Sequence, residues 1–239
     1  MKVSVMGGYG IKAAVSIGVI AVMALAGAAH AQDKAPQSAW VKLCENTSLP
    51  KAVKGGKTET ITKNICLTHH ERLDGNTGMV IISAAIRHVE GEDKKNLMVM
   101  VPLGMALPPG VKAAVYTKEQ WARAEKKEEV KDSELKPLSL KYSFCHAAGC
   151  TAEVAIPDNM IGSMQKGGGL MVLALNASGR PVAFPIPLVG FTEAHKGKPV
   201  DNAKYSAARQ RLMGAIRERM RARIAKRATG GLLPEPKKN

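Results

Sequence analysis

Four cysteines are the residues of this chain whose types and spacing could do chemistry. Two of them flank the motif CHAAGC at residues 145–150, and the others are Cys44 and Cys66. A c-type haem site needs C-x-x-C-H, whereas this motif has four residues between its cysteines and a misplaced histidine. No thioredoxin-like C-x-x-C pair is present either. Two interpretations therefore remain: the cysteines bind zinc together with His146, or they form structural disulfides.

The first residues of the chain decide between these two kinds of site. Lys2 and Lys12 accompany a nearly continuous apolar stretch, residues 13–28, and Ala29-His30-Ala31 has the small residues of a signal peptidase site. The stretch is shorter than the ~20 residues of a membrane span and lacks basic stop-transfer residues. We therefore predict a signal peptide, cleaved near Ala31, and a periplasmic, outer-membrane-associated or secreted protein. An even cysteine count in an oxidising compartment favours two disulfides over zinc.

The pairing of the cysteines needs a separate argument, because four cysteines allow three connectivities. A Cys145–Cys150 bridge would close a tight hairpin tip, and a Cys44–Cys66 bridge would tie the first two strands together. Strict alternation places Cys66 on the opposite face from Ile65 and Leu67. The second bridge therefore requires a β-bulge or an outer-face position.

Histidines are the remaining candidates for metal or acid–base chemistry. His69 and His70 are adjacent and would point to opposite faces of a strand, so we expect them, like His88, at surface polar positions. No G-x-S-x-G elbow occurs, and the runs KGG and KGGGL lack the P-loop ending. We predict no enzymatic activity, no cofactor and no small-molecule substrate. A metal-dependent envelope factor or enzyme that uses surface histidines is the alternative.

The body of the chain has the alternating pattern of β-strands. Prolines on alternate positions, Pro185 and Pro187, place the last strand at a sheet edge. Thr117 and Gln120 have capping-box spacing at the start of a charged helix, residues 117–134, and Pro157-Asp158 begins a short one. Seven or eight short strands with regular turns predict an all-β sandwich. The strand candidates are residues 40–44, 58–72, 79–89, 97–103, 138–145, 150–156, 170–175 and 182–188, and PPGVKAAVY at 108–116 is typical of a turn that leads into another strand.

The net charge of +15 is concentrated at the C-terminus. From Lys196 onward, 13 Lys and Arg residues stand against Asp201, Glu218 and Glu235. Residues 205–227 combine arginines with apolar residues every three or four positions, which predicts a basic amphipathic helix. The predicted apolar stripe consists of Tyr205, Ala208, Leu212, Ile216, Met220 and Ile224.

Such a helix suits an anionic membrane surface or an envelope or host protein, and an exported protein is not expected to meet nucleic acid. We predict that its cationic side chains carry the binding. They are Arg209, Arg211, Arg217, Arg219, Arg221, Arg223, Lys226 and Arg227.

The order of these features resembles the invasion-associated locus B family of alphaproteobacteria. The matching elements are WVKLC at 40–44, ICLT at 65–68, CHAAGCTAE at 145–153 and PIPLVGFTEA at 185–194. The last is similar to the family ending P-x-S-L-x-G-F-x-x-A, with Pro187 in place of the small polar residue. The resemblance covers residues 39–194, and the basic tail lies outside it. It implies an immunoglobulin-like β-sandwich in the envelope, a link to host invasion or colonisation, and no known catalytic residues.

Together these observations divide the chain into a signal peptide at 1–31, a β-sandwich at 32–195 and a basic amphipathic tail at 196–239. The expected function is that of a non-enzymatic envelope protein, a binding module for host invasion, colonisation or envelope maintenance. A periplasmic chaperone-like assembly protein, which adds a client strand to an open sheet edge, is a further alternative.

Overall fold

Alternating apolar and polar residues build nine strands in the computed structural model, which describes residues 40–52 and 58–230. The predicted signal peptide and the end of the tail lie outside the described residues. The strands are β1 Trp40–Ala52, β2 Thr58–Leu73, β3 Val80–Val89, β4 Lys95–Val101, β5 Val111–Tyr116, β6 Leu138–His146, β7 Gly149–Ile156, β8 Gly169–Leu175 and β9 Pro181–Pro187. The helices are α1 Lys118–Glu125, α2 Asp158–Lys166, α3 Phe191–Lys196 and α4 Asn202–Gly230, and a 3-10 turn spans Asp132–Glu134.

All neighbouring strands are antiparallel, in the order β1-β2-β3-β4-β7-β6-β5-β8-β9. β6 joins the two halves of this sheet, because its residues 138–140 pair with β5 and its residues 141–146 pair with β7. Side chains from both halves fill one core, in which Ile82 and Val99 from one half and Val172 and Ile186 from the other are fully buried. The predicted all-β fold is confirmed, and its two halves enclose the core as the layers of a sandwich do.

The two outermost strands are joined through side chains. Trp40 Nε1, on β1, donates to the Pro187 carbonyl on β9 at 2.8 Å, and Arg72, on the neighbouring strand β2, donates to the Pro185 carbonyl at 3.5 Å. Proline has no N–H, so its position on the outward edge of β9 costs the β8–β9 ladder nothing. The prolines thus mark an edge strand, as predicted.

The β1 edge is covered by the chain that follows α3. Val200 N donates to the Lys42 carbonyl at 2.8 Å, and the Asn202 side chain donates to the Cys44 carbonyl at 3.0 Å. Beyond Cys44 the strands β1 and β2 leave the sheet as a two-stranded ribbon, because β3 pairs with β2 only from Ile65 onward. The strand predicted at 40–44 is therefore much longer than expected.

The first disulfide links Cys44 to Cys66 at the base of this ribbon. The two residues are directly opposed in a regular register, with a Cα–Cα distance of 4.1 Å. The expectation of a bulge or an outer-face position was wrong. The disulfide shares the inward side of β2 with the buried Thr68, and Ile65 and Leu67 occupy the outward side.

The second disulfide links Cys145 to Cys150 across the β6–β7 hairpin, where the two residues are again opposed in register. The sequence separations of the two bridges are 22 and 5 residues. Loop-closure entropy alone would contribute about 3.4 kcal/mol for the longer loop and about 2.2 kcal/mol for the shorter. Both are the pairings favoured from the sequence.

The glycine run at 167–169 has a packing role. Thr117 caps α1 in the predicted capping box, although the helix ends at Glu125 rather than at 134. α1 lays the Trp121 ring against the backbone of Gly168 and Gly169, so that a Cβ atom at Gly169 would overlap the ring. The glycines therefore provide close approach for an indole rather than a phosphate cradle.

Alanine substitutions at two glycines can distinguish this packing role from the general effect of replacing a flexible glycine. Gly169→Ala should lower the free energy of unfolding by about 1–3 kcal/mol, because the indole must shift. Gly162→Ala, in α2, meets no atom within 4 Å and should raise stability by about 0.5–1 kcal/mol. Urea unfolding measures both, and equal effects of the two substitutions would contradict the packing role.

Candidate interaction surface

Helix α4 carries the predicted binding residues and is longer than expected. Asp201 caps it, because its carboxylate accepts the Lys204 N–H at 2.8 Å. Alanine and arginine, both strong helix formers, dominate its sequence. Its 29 residues span about 43 Å. None of the helices in the described part of the chain is long and apolar enough to cross a membrane.

The N-terminal part of α4 lies over the outward side of β1 and β2. Tyr205 lines a cavity of about 230 Å³ together with Leu43, Ile65 and Leu67. This explains the apolar residues on both faces of β2: one face meets the core and the other meets the helix. Burial raises the pKa of the Tyr205 hydroxyl, and the nearby Glu71 carboxylate adds to the effect.

An ion pair anchors the next turn of α4 to β2. Arg209 donates two hydrogen bonds to the Glu71 carboxylate, at 2.9 and 3.0 Å, in the bidentate geometry that arginine favours. Glu71 has 13% of its side chain exposed, and hydrogen bonding to this carboxylate raises the pKa of Arg209. His69 lies on the same outward face and bonds the Ser83 hydroxyl at 3.0 Å. Burial lowers the pKa of His69, Glu71 opposes this effect, and Arg209 adds to it.

Further along the helix, α4 contacts the turn between β2 and β3. Met213 and Ile216 lie against Gly78, where a Cβ atom would meet the Met213 methyl group at 2.8 Å. Arg223 donates to the Asn76 carbonyl at 3.0 Å and also bonds the Asn76 side chain. The contact face of the helix therefore continues from Tyr205 to Arg223.

The predicted apolar stripe is only partly the face that packs. Ile216 is buried and Tyr205 and Met220 are half-buried, whereas Leu212 and Ile224 are 51% and 61% exposed. The packed face differs from the predicted stripe because Glu71 and Asn76 form hydrogen bonds with Arg209 and Arg223, which brings these arginines onto the contact face. The residues of the packed stripe, at spacings of three and four, are Tyr205, Arg209, Met213, Ile216, Met220 and Arg223.

The predicted cationic residues thus fall into two groups. Arg209 and Arg223 hold the helix on the body. The other six are exposed, as Arg209 and Arg223 also are in part, and Glu218 is the one carboxylate within the α4 sequence. The exposed group consists of Arg211, Arg217, Arg219, Arg221, Lys226 and Arg227.

An aromatic cluster at the closure of the sheet was missed in the sequence, because α3 was not predicted. Phe191, which begins α3, meets the Trp40 ring edge-on at 5.0 Å, and His195 stacks on Phe191 at 5.4 Å. Thr68 bonds His195 Nδ1 at 2.9 Å. His70 faces Trp40 at 5.2 Å. The sequence pair GF at 190–191 could have indicated the start of α3. Gly190 adopts a left-handed φ of 78° directly before the helix, and Phe191 follows as its first residue.

The prediction of surface histidines was wrong for His70. Its ring is 4% exposed, and neither ring nitrogen has a hydrogen-bond partner within the described residues. Burial lowers its pKa to about 4, and His69 and Arg72 add to the effect. His69 and His70 do point to opposite faces. Residues 40–52 and 58–230 contain no group of three or more His, Cys, Asp and Glu side chains placed to hold a metal ion.

Comparison with protein families finds a match in the second half of the chain. Residues 126–199 match the family model described as Invasion associated locus B (IalB) protein. The resemblance to the IalB family is therefore confirmed. The matched segment runs from the end of α1 to the residue before Val200, and it contains the Cys145–Cys150 disulfide and all of α3.

Among solved structures, the chain is similar to invasion associated protein B from Bartonella henselae. The identity is 14% and the TM-score 0.45, over 66% of this chain and 92% of that one. No curated protein sequence matches the chain. Helix α4 lies outside the IalB segment, as the tail lay outside the predicted resemblance.

Removal of the Glu71 charge should loosen α4. Glu71→Gln leaves Arg209 without its bidentate partner, so we expect faster amide exchange and faster tryptic cleavage within residues 202–230. Glu92→Gln removes a comparable surface pair, with Lys63, away from the helix. This control should leave α4 protection unchanged. Equal protection of α4 in wild type and Glu71→Gln would contradict the anchoring role.

The buried His70 should make stability depend on pH. Its folded-state pKa is about 4, below the ordinary value of 6.5, so the unfolded chain binds the extra proton as the pH falls from about 6.5 to about 4. The free energy of unfolding should fall over that window by up to about 3 kcal/mol. His70→Phe removes the buried titrating group and should flatten the fall. Parallel pH profiles for wild type and His70→Phe would exclude His70 as the cause.

Proposed function

We propose that this protein is an exported, non-enzymatic binding module that attaches to an anionic membrane surface through the exposed cationic side chains of α4. The observation that carries the proposal is that different cationic residues of α4 contact the body and face the solvent. Arg209 and Arg223 are used for docking, and the remaining cations are exposed beside a single carboxylate, Glu218. A body-anchored helix presents these charges at little further entropic cost.

Export and the link to invasion rest on separate observations. Two disulfides fit a location outside the cytoplasm. The IalB match supports an invasion-associated, exported and non-catalytic protein. We propose that surface attachment serves host invasion, colonisation or maintenance of the envelope, with a periplasmic or outer-membrane location after cleavage near Ala31.

The physics of attachment is electrostatic. A basic residue close to an anionic leaflet contributes about 1 kcal/mol, and the attraction decays within a Debye length. The docked stripe already uses Tyr205, Ile216 and Met220 against the body. Leu212 and Ile224 stay exposed but lie twelve residues apart among arginines, so α4 offers mainly charge. Attachment through this helix should therefore be strongly salt-dependent.

Neutralisation of exposed arginines tests this function. The double variant Arg217→Gln/Arg221→Gln should weaken binding to phosphatidylglycerol-containing vesicles roughly thirty-fold, about 1 kcal/mol for each residue. The matched control Lys118→Gln/Lys166→Gln removes two exposed charges from α1 and α2 and should bind as wild type does.

Vesicle cosedimentation at two salt concentrations measures the effect. Salt at about 1 M shortens the Debye length to about 3 Å and should sharply weaken wild-type binding to anionic vesicles. Pure phosphatidylcholine vesicles should bind no variant. Salt-insensitive binding, or equal losses in the arginine and lysine variants, would contradict attachment through α4.

A further inference from the structure

The loops of the sheet are divided between two ends with opposite character. Because every strand is antiparallel to its neighbours, the β2–β3, β4–β5, β6–β7 and β8–β9 connections leave the same end of the sheet. We call this the upper end. It consists of residues 74–79, 102–110, 147–148 and 176–180.

The upper end is almost without charge in a strongly charged protein. Asp74 and Arg180 are its only Asp, Glu, Lys or Arg residues. Asp74 is turned into its own loop, where its carboxylate accepts hydrogen bonds from the backbone N–H groups of Asn76 and Thr77 and from the Thr77 hydroxyl. At the opposite end, four of the five residues 90–94 are charged, and residues 117–137 are rich in Lys and Glu.

Large apolar side chains are exposed at the upper end. Met79 is 59% exposed, Leu103 53% and Leu107 48%. Phe144, one residue before the Cys145 disulfide, is also 53% exposed. An uncharged surface with several exposed large apolar side chains is typical of an interaction site rather than of a free solvent boundary.

These side chains are held on a rigid support. Ala106 N donates to the Leu175 carbonyl at 2.8 Å, and Ala177 N donates to the Gly104 carbonyl at 3.0 Å, so the β4–β5 and β8–β9 loops brace each other. The Cys145–Cys150 disulfide closes the neighbouring hairpin beneath Phe144. The apolar tips are therefore presented without a large ordering cost on binding.

Helix α4 brings positive charge to the same end. Arg223 bonds Asn76, which lies in the first upper loop, and the helix continues to Gly230, about 10 Å further. Arg221 and Arg227 are exposed there, and Ile224 is 61% exposed. Exposed apolar side chains flanked by arginines match the interface of an anionic lipid bilayer, in which apolar groups enter the acyl boundary and cations meet the headgroups.

We propose that the upper end is a membrane-insertion surface: Leu103, Leu107, Phe144 and Met79 enter the interfacial region of an anionic bilayer while the C-terminal half of α4 binds the headgroups. This inference rests on the proposed attachment through α4 and gives it an orientation. The charged lower end then faces the aqueous phase. The charge complementarity of α4 favours lipid over a second copy of the chain, which would bring two cationic helices together.

Tryptophan reporters in the full mature chain test the orientation. Leu103→Trp places an indole at the upper end, and Val189→Trp places one at the lower end, at a position that is similarly exposed at 59%. The native Trp40 and Trp121 give the baseline in both variants. Each variant is mixed with phosphatidylglycerol/phosphatidylcholine vesicles, with and without bromine on the acyl chains, and cosedimentation measures the bound fraction.

The expected result is a blue shift of the Leu103→Trp emission on vesicle binding and its loss with brominated acyl chains, while Val189→Trp stays at baseline. Bound protein with neither reporter quenched, or with both quenched equally, would overturn the insertion surface and leave the attachment through α4 intact. Failure of both variants and of wild type to bind would instead overturn the proposed function. A blue shift without vesicles that grows with protein concentration would show that a second copy covers the upper end.

Discussion

The hydrogen bond from Trp40 Nε1 to the Pro187 carbonyl joins the first and last strands of the sheet order, and much of the structure is arranged around it. Trp40 must be buried against both halves for the bond to form, and Phe191 and His70 supply the walls of its pocket. Proline is compatible with the edge that receives this bond because only carbonyls are needed there. The closure also brings α3 against β1, and the chain that leaves α3 then covers the remaining edge of β1 before α4 begins.

Much of this architecture could be predicted from the sequence, because strand alternation and turn residues act locally. The β3 and β9 patterns, the capping box at Thr117 and the cysteine pairing are local signals of this kind. The faces of β2 could not be assigned in the same way. Ile65 and Leu67 are apolar because α4 covers them, and a periodic pattern does not distinguish a helix on the outside from a core on the inside. α3 was missed for a related reason, since six residues are too few for a periodic signal.

The basic tail shows how one composition can serve two purposes. Its helical periodicity was predictable, but the stripe that packs was not, because the body offers a carboxylate at Glu71 and a carbonyl at Asn76 as well as apolar surface. Arginines therefore replace apolar residues at two contact positions. Since Arg209 and Arg223 are held by the body, the remaining cations can bind a partner without undocking the helix.

The two disulfides support opposite ends of this arrangement, and each joins two neighbouring strands at a margin of the packed core. Cys44–Cys66 closes the base of a ribbon that, among the described residues, has no third strand beside it, and a two-stranded ribbon alone is marginal in water. Cys145–Cys150 closes a hairpin whose tip is exposed and uncharged. Cys145 is exposed and Cys150 is buried, so the second bridge ties an exposed part of β6 to the core, and both bridges reduce the entropy of the unfolded chain. The β6–β7 hairpin can therefore present Phe144 to the outside, because its own stability does not require Phe144 to be buried.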